Sequence, residues 1–189
     1  MSVLNIARLG HPILREIAKP VDLKALTASG DNALQQLIDD MVDTMREEGG
    51  VGIAAPQVGR SLKIVIVEYQ QNERYPSQED IPLTVYVNPV ITHSGKETAS
   101  FLEGCLSLKD LRGLVTRSRS VTVEAFSREG KKIVVEAKGF LAVVLQHEID
   151  HLLGKVFLDR MTDLTQLAWA EEWETYWNEE EPAQGPEAI

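Results

Sequence analysis

Residues Gln146-His147-Glu148-Ile149-Asp150-His151 decide how this chain is read. Two histidines stand four positions apart, and a glutamate directly follows the first. On a helix each residue turns by about 100°, so positions i and i+4 lie about 40° apart on one face. Both imidazoles can then meet one metal ion, while Glu148 reaches a water on that ion without being a ligand. The surrounding run, 139–153, is apolar, has neither Pro nor Gly after its first residue, and is stopped by Gly154. It predicts a helix buried in the core, so the site would be built on a rigid element. The chemistry indicated is hydrolysis by a metal-activated water.

Working outward, a catalytic zinc-like centre takes three protein ligands and leaves a position for water. His147 and His151 supply two. The lone Cys105, within Glu103-Gly104-Cys105-Leu106-Ser107, is the candidate third. A single cysteine by itself reads as a small buried hydrophobe, and the histidine pair shifts that reading to a ligand. Gly104 lets the backbone approach closely. Glu148 suits the general base, and then the acid, for the water. Hydrolysis also needs donors aimed at an oxyanion. The Gln57 amide, after the turn-rich stretch Gly50-Val51-Gly52-Ile53-Ala54-Ala55-Pro56, and the backbone N–H of Leu106 are available donors. His11 and His93 sit near turn signals and read as structural or exposed.

The chain of 189 residues, 43% hydrophobic and 25% charged, suits one substantial core. Its net charge of −10 is uneven: eight acids and no Lys or Arg follow residue 160, which leaves the body at −2. No basic stripe suggests direct DNA binding, and the acidic end argues against docking on RNA or an anionic membrane there. One cysteine allows no intrachain disulfide, which fits a reducing compartment. The first residues lack the charged-then-apolar pattern of a signal peptide, and no apolar run reaches the roughly 18 residues of a membrane span. A cytoplasmic protein is expected.

Ala33, Leu34, Leu37, Ile38, Met41, Val42 and Met45 follow helical spacing, with Ser29 or Asp31 as the cap and Gly49-Gly50 as the end. A strand is predicted over 63–69, a loop over 72–82, and strand again over 85–93. Alternation over 121–126 and 132–137, around Arg128-Glu129-Gly130, predicts a β-hairpin. A last helix is expected over 162–177, packed on the body by its tryptophans, before an acidic, disordered tail at 178–189. Short strands mixed with a few helices, without βαβ regularity, point to an α+β fold. One catalytic domain would cover 1–177.

The segments Gly50-Val51-Gly52-Ile53-Ala54-Ala55-Pro56-Gln57, Glu103-Gly104-Cys105-Leu106-Ser107 and Gln146-His147-Glu148-Ile149-Asp150-His151 together resemble the three motifs of peptide deformylase. Gly10-His11-Pro12-Ile13-Leu14-Arg15 resembles that family's N-terminus, and the likeness covers about residues 5–160. The resemblance implies removal of the N-formyl group from the initiator methionine of new polypeptides, giving formate. It implies antiparallel or mixed sheets around a central metal-binding helix. Cys105, His147 and His151 would bind the metal, Glu148 would be the acid/base, and Gln57 with the Leu106 N–H would stabilise the oxyanion. The family's metal is usually Fe(II), often replaced by Zn(II), Ni(II) or Co(II); ligand softness alone suggests zinc. Substrate would bind as an extended strand beside Val51, Gly52 and Gly104. Phe101, Val143 and Val144 are candidates for the methionine pocket, with Glu103 at its edge and Arg112 at its mouth. Thr116 stands where the family commonly has Pro. Some bacterial members dock on the ribosome through a basic C-terminal helix; here that end is acidic and Trp-rich, which leaves a transient ribosome association open.

The rival enzymatic reading is a zinc endopeptidase, which more often recruits a downstream His or Glu. After His151 there is Asp159 and Asp163 but no histidine, and the cysteine motif favours deformylase. A closed structural metal module would need a fourth Cys or His, and none lies near these motifs. A degenerate, inactive deformylase is opposed by the retention of Glu148, Gln57 and all three ligand residues.

Overall fold

The apolar run that carries the histidine pair folds as helix α3, Gly139–Leu152. It is the centre of a computed structural model that describes residues 2–29, 32–70 and 79–177. The other helices are α1 (Leu23–Leu26), α2 (Ala33–Glu47) and α4 (Ala170–Tyr176). The strands are β1 (Gly52–Ala54), β2 (Ile64–Tyr69), β3 (Ile81–Ser94), β4 (Thr98–Glu103), β5 (Leu111–Ser118), β6 (Ser120–Phe126), β7 (Lys132–Lys138) and β8 (Leu167–Trp169). They form a five-stranded sheet, β1-β2-β3-β6-β7, and a three-stranded sheet, β4-β5-β8. All the pairings within these sheets are antiparallel. The fold is α+β, as expected.

Two helices cover the larger sheet. Phe140, Ala142, Val144, Leu145, Ile149 and Leu152 of α3 pack with Val65, Val67, Val121 and Val123. Ile38, Met41, Val42 and Met45 of α2 pack with Ile64, Ile66, Val85 and Val87. Odd and even residues of β2 thus face different helices, because side chains alternate across a strand. That explains an apolar run with no polar alternation: both faces of Ile64, Val65, Ile66 and Val67 are covered. Helix α3 has no side-chain cap, so tertiary packing holds its N-terminus in place. Gly154 ends the turn after it at φ +69°, and a Cβ there would lie 2.6 Å from the Arg15 carbonyl oxygen.

The hairpin β6–β7 forms in the expected place, with Val123 opposite Val135. The cap of α2 differs from the expectation. Asn32, rather than Ser29 or Asp31, accepts from the N–H groups of Leu34 and Gln35. Its amide also donates to the carbonyls of Ala25, Leu26 and Ala28, so one side chain ties α2 to the end of α1. A serine or aspartate has no such amide. Of the expected loop, 72–78 lies outside the described residues, and Ile81 already belongs to β3.

The expected final helix over 162–177 is broken. Leu167–Trp169 is instead strand β8, paired with β5 at Leu111, Arg112 and Gly113. The open edge of β5 supplies backbone partners that a helix would forgo. Leu164–Gln166 makes one 3-10 turn, and Ala170–Tyr176 is α-helical but buries none of its residues. Trp169 is 56% exposed and Trp177 is 47% exposed, so these two do not anchor the helix on the body. Trp173 and Trp177 stack on each other, with ring centroids 5.4 Å apart. The tail at 178–189 lies outside the described residues. Among the described residues no helix is long and apolar enough to cross a membrane.

Candidate metal centre

Helix α3 and the turn after β4 bring the predicted donors together. Cys105, His147 and His151 each place a ligand atom within 4.8 Å of the others. Cys105 Sγ and His151 Nε2 are 3.3 Å apart. A tetrahedral ion with bonds of about 2.0–2.3 Å sets its donors roughly 3.3–3.7 Å apart, so this spacing suits one. The imidazole centroids lie 5.1 Å apart, as expected for helix positions i and i+4. Cys105 itself is half-buried and precedes the 3-10 turn Leu106–Leu108. Its sulfur therefore stands at a turn entrance, beside the Leu106 N–H, which has no acceptor within that turn.

Charge also marks the spot as a cation site. His147 is desolvated, yet the Cys105 sulfur and the Glu103 carboxylate hold its pKa well above the ordinary imidazole value. The donor set thus draws in a positive charge, which a metal would supply in place of that proton. His151 is driven the other way, by burial and by the neighbouring His147, and stays neutral. Neutral imidazole is the form that binds metal. Among the described residues His151 Nδ1 has no hydrogen-bond partner, and neither does Glu148 Oε2. Glu148 is 4% exposed, and burial pushes its pKa up to about 7. A carboxyl poised there exchanges protons readily at neutral pH.

Two short hydrogen bonds fix the imidazole and amide orientations. His147 Nδ1 meets Glu103 Oε2 at 2.7 Å, which turns Nε2 toward the centre. Gln57 Oε1 accepts from the Ala54 N–H at 2.8 Å, and its amide nitrogen lies 3.5 Å from Cys105 Sγ. The Gln57 donor therefore faces the donor cluster. Gly52 closes the other side: a Cβ there would sit 2.5 Å from Glu148 Oε1. Only glycine lets β1 pass so close to that carboxyl.

An open cavity of about 230 Å³ is lined by Cys105, Leu106, His147 and Glu148, whereas Gln57 and His151 are buried and not on its walls. Its volume is below the roughly 300–1,000 Å³ of pockets for drug-sized ligands, and suits a chain end lying in a cleft. Val51 and Gly52 line one wall, Glu103, Gly104 and Arg112 another, and Val143 and Val144 the helix side. Phe101 is not on these walls; it is buried on β4, 2% exposed. Phe140, one turn before Val144 on α3, lines the cavity instead. Sequence reasoning missed it, although helical spacing from Val143 and Val144 to Phe140 was there to find.

It also missed a chain of buried charges. Arg117 donates to both oxygens of Glu103, at 2.7 and 3.0 Å, and to Asp150 at 2.6 Å. Glu103 is pushed up by burial, but His147 and Arg117 outweigh this and hold its pKa low. The available signal was Arg117 at the inward register of Gly113 and Val115. A charge on a buried strand face demands a partner.

An α+β fold wrapped on a His-Glu-x-x-His helix with a cysteine donor defines a class of hydrolytic enzyme. The chain belongs to the polypeptide deformylase family, whose model matches residues 3–167. Peptide deformylase 2 of Pseudomonas putida is 43% identical over 169 residues, covering 89% of this chain and 93% of that protein. Peptide deformylase 1 of Bordetella pertussis is 42% identical, covering 88% of this chain and 92% of that protein. A class I type b peptide deformylase of Acinetobacter baumannii, solved with Met-Ala-Ser bound, matches with a TM-score of 0.80 and 42% identity, over 85% of this chain and 100% of that one.

Proposed function

We propose that residues 1–177 form one catalytic domain that hydrolyses the N-formyl group from the formyl-methionine of newly made polypeptides. Cys105, His147 and His151 would hold a divalent ion, Fe(II) first and Zn(II), Ni(II) or Co(II) as substitutes, which would supply Lewis acidity and lower the pKa of a water toward neutrality. Glu148 takes the proton of the attacking water and returns it to the leaving amine nitrogen. The Gln57 amide and the Leu106 N–H donate to the oxygen of the formyl group as negative charge develops there. Formate and a free amino terminus leave.

The substrate backbone lies extended between Val51-Gly52 and Gly104, along the outer edges of β1 and β4. Val143, Val144 and Phe140 offer the methionine side chain an apolar wall. The observation that carries this reading is the meeting of three metal-suited donors with a buried, partnerless Glu148 oxygen at the base of an open cavity. The bound Met-Ala-Ser of the Acinetobacter baumannii relative has the sequence that deformylation of formyl-Met-Ala-Ser would leave.

The test is formate release from formyl-Met-Ala-Ser, with protein purified anaerobically and Fe(II) and Zn(II) forms compared. Rapid release supports the reading and ranks the metals. No release from either loaded form sinks it, and cleavage of an internal peptide bond would then favour an endopeptidase.

A further inference from the structure

The buried charge chain does not end at Asp150. Asp150 sits on α3 one residue before His151, and its carboxylate is gripped from two sides. Arg117 Nη1 donates to Oδ2 at 2.6 Å from the interior. Arg160 donates from the outside, Nε to Oδ2 at 3.0 Å and Nη2 to Oδ1 at 2.5 Å. Arg160 lies at the end of the 3-10 turn Phe157–Arg160, and its side chain is 37% exposed. From there an unbroken alternation of charge runs Arg160, Asp150, Arg117, Glu103, His147, and every link is a hydrogen bond of 3.0 Å or less. Without Arg160, Arg117 alone of these two arginines would hold Asp150 while also holding Glu103.

We infer that Arg160 is a positioning residue for the metal centre: it clamps Asp150 so that Arg117 holds Glu103, and Glu103 holds the His147 ring. This rests on the metal reading given above. A partner that fixes the second nitrogen of a ligating histidine governs metal retention by about 10–100-fold, and Arg160 stands three links beyond that partner, Glu103. The bidentate grip matters as well as the charge, because a planar guanidinium fixes the plane of the carboxylate it holds.

A purely structural role has to be separated from this one. The turn bearing Arg160 is also fastened by the ion pair Arg15–Asp159 and by Asp159 accepting from the Val156 N–H at 2.8 Å. Arg15→Ala loosens the same turn without touching the charge chain. The experiment follows loss of Co(II) to a chelator, and the visible absorption of the Co(II) form, in the wild type, Arg160→Gln and Arg15→Ala. The expected result is release about tenfold faster in Arg160→Gln, with a changed Co(II) spectrum, and near wild-type release and spectrum in Arg15→Ala. Release and spectrum unchanged in Arg160→Gln overturn the inference. So does an equal acceleration in both variants, which would reduce Arg160 to a fastening of the turn. A wild type that takes up no stoichiometric Co(II) would overturn the metal reading itself, and this inference with it.

Discussion

Helices α2 and α3 have nearly the same length, 15 and 14 residues, and pack on the same sheet from different sides. Their interiors differ in kind. The buried side chains of α2 are Ile38, Met41, Val42 and Met45 with one threonine, and its outer face is polar. Helix α3 buries His147, Glu148, Asp150 and His151 along with its apolar residues. Apolar burial stabilises at about 25 cal/mol per Å², whereas a buried ion costs several kcal/mol unless partnered. Asp150 and His147 have partners, but Glu148 keeps an unpartnered oxygen. Helix α2 therefore supplies apolar burial alone, whereas α3 adds to its own apolar burial poorly solvated groups that chemistry can use.

The sharpest break in that comparison comes from removing the partnerless group. Glu148→Ala should lower kcat for formate release by about 10²–10⁴-fold, the range for a positioned general base. Metal content should stay at the wild-type level, because Glu148 is not in the donor cluster. Parallel loss of metal and turnover would make it a ligand and would contradict its place here. Met41→Ala, at a fully buried position of α2, should do the opposite. Denaturant unfolding should report a loss of about 2–5 kcal/mol, with kcat of the folded enzyme and its metal content unchanged. A fall in kcat as large as the fall in stability would erase the division between the two helices.

Gly52→Ala tests the contact where β1 meets α3. The added Cβ would overlap the Glu148 carboxyl, so that side chain must swing away. A misplacement of about 1 Å in a reacting group can cost about 10²-fold. The expected outcome is a kcat loss of that order with metal retained, measured beside Glu148→Ala. Wild-type kcat would mean that Glu148 has freedom the packing denies it.

The same contrast explains what could be read in advance. Helix α2 announces itself because its apolar residues repeat at helical spacing on one face, and the β6–β7 hairpin because its strands alternate around a glycine turn. The His-Glu-x-x-His pattern is local, so the donors of α3 were legible without any tertiary knowledge. Strands β4 and β5 were not assigned, because Glu103 and Arg117 occupy inward positions and break the alternation. Their meaning depends on pairing with residues far away in sequence: Glu103 bonds His147 across 44 positions. The helical promise of Leu167 and Ala168 was overridden by the free edge of β5, which no local pattern reveals.

The smallest effect is expected on the outer side of α2, where charge is solvated. Arg46 holds Glu68 of β2 through two hydrogen bonds, of 2.6 and 2.8 Å. This bonding lowers the Glu68 pKa below its ordinary value of 4.5, against a smaller effect of burial. The Arg46 side chain is 52% exposed, so solvent screening limits the pair to about 0.2–1 kcal/mol. A carboxylate with a depressed folded pKa adds stability above its unfolded value and loses it as pH falls through the folded one. Glu68→Gln should therefore be slightly less stable than the wild type at pH 7, and the two should converge in acid, below the folded pKa. About 1 M salt at neutral pH should also narrow the gap, since the screening length there is about 3 Å. A gap that persisted unchanged in acid and in salt would show that the charge of Glu68 is not its source.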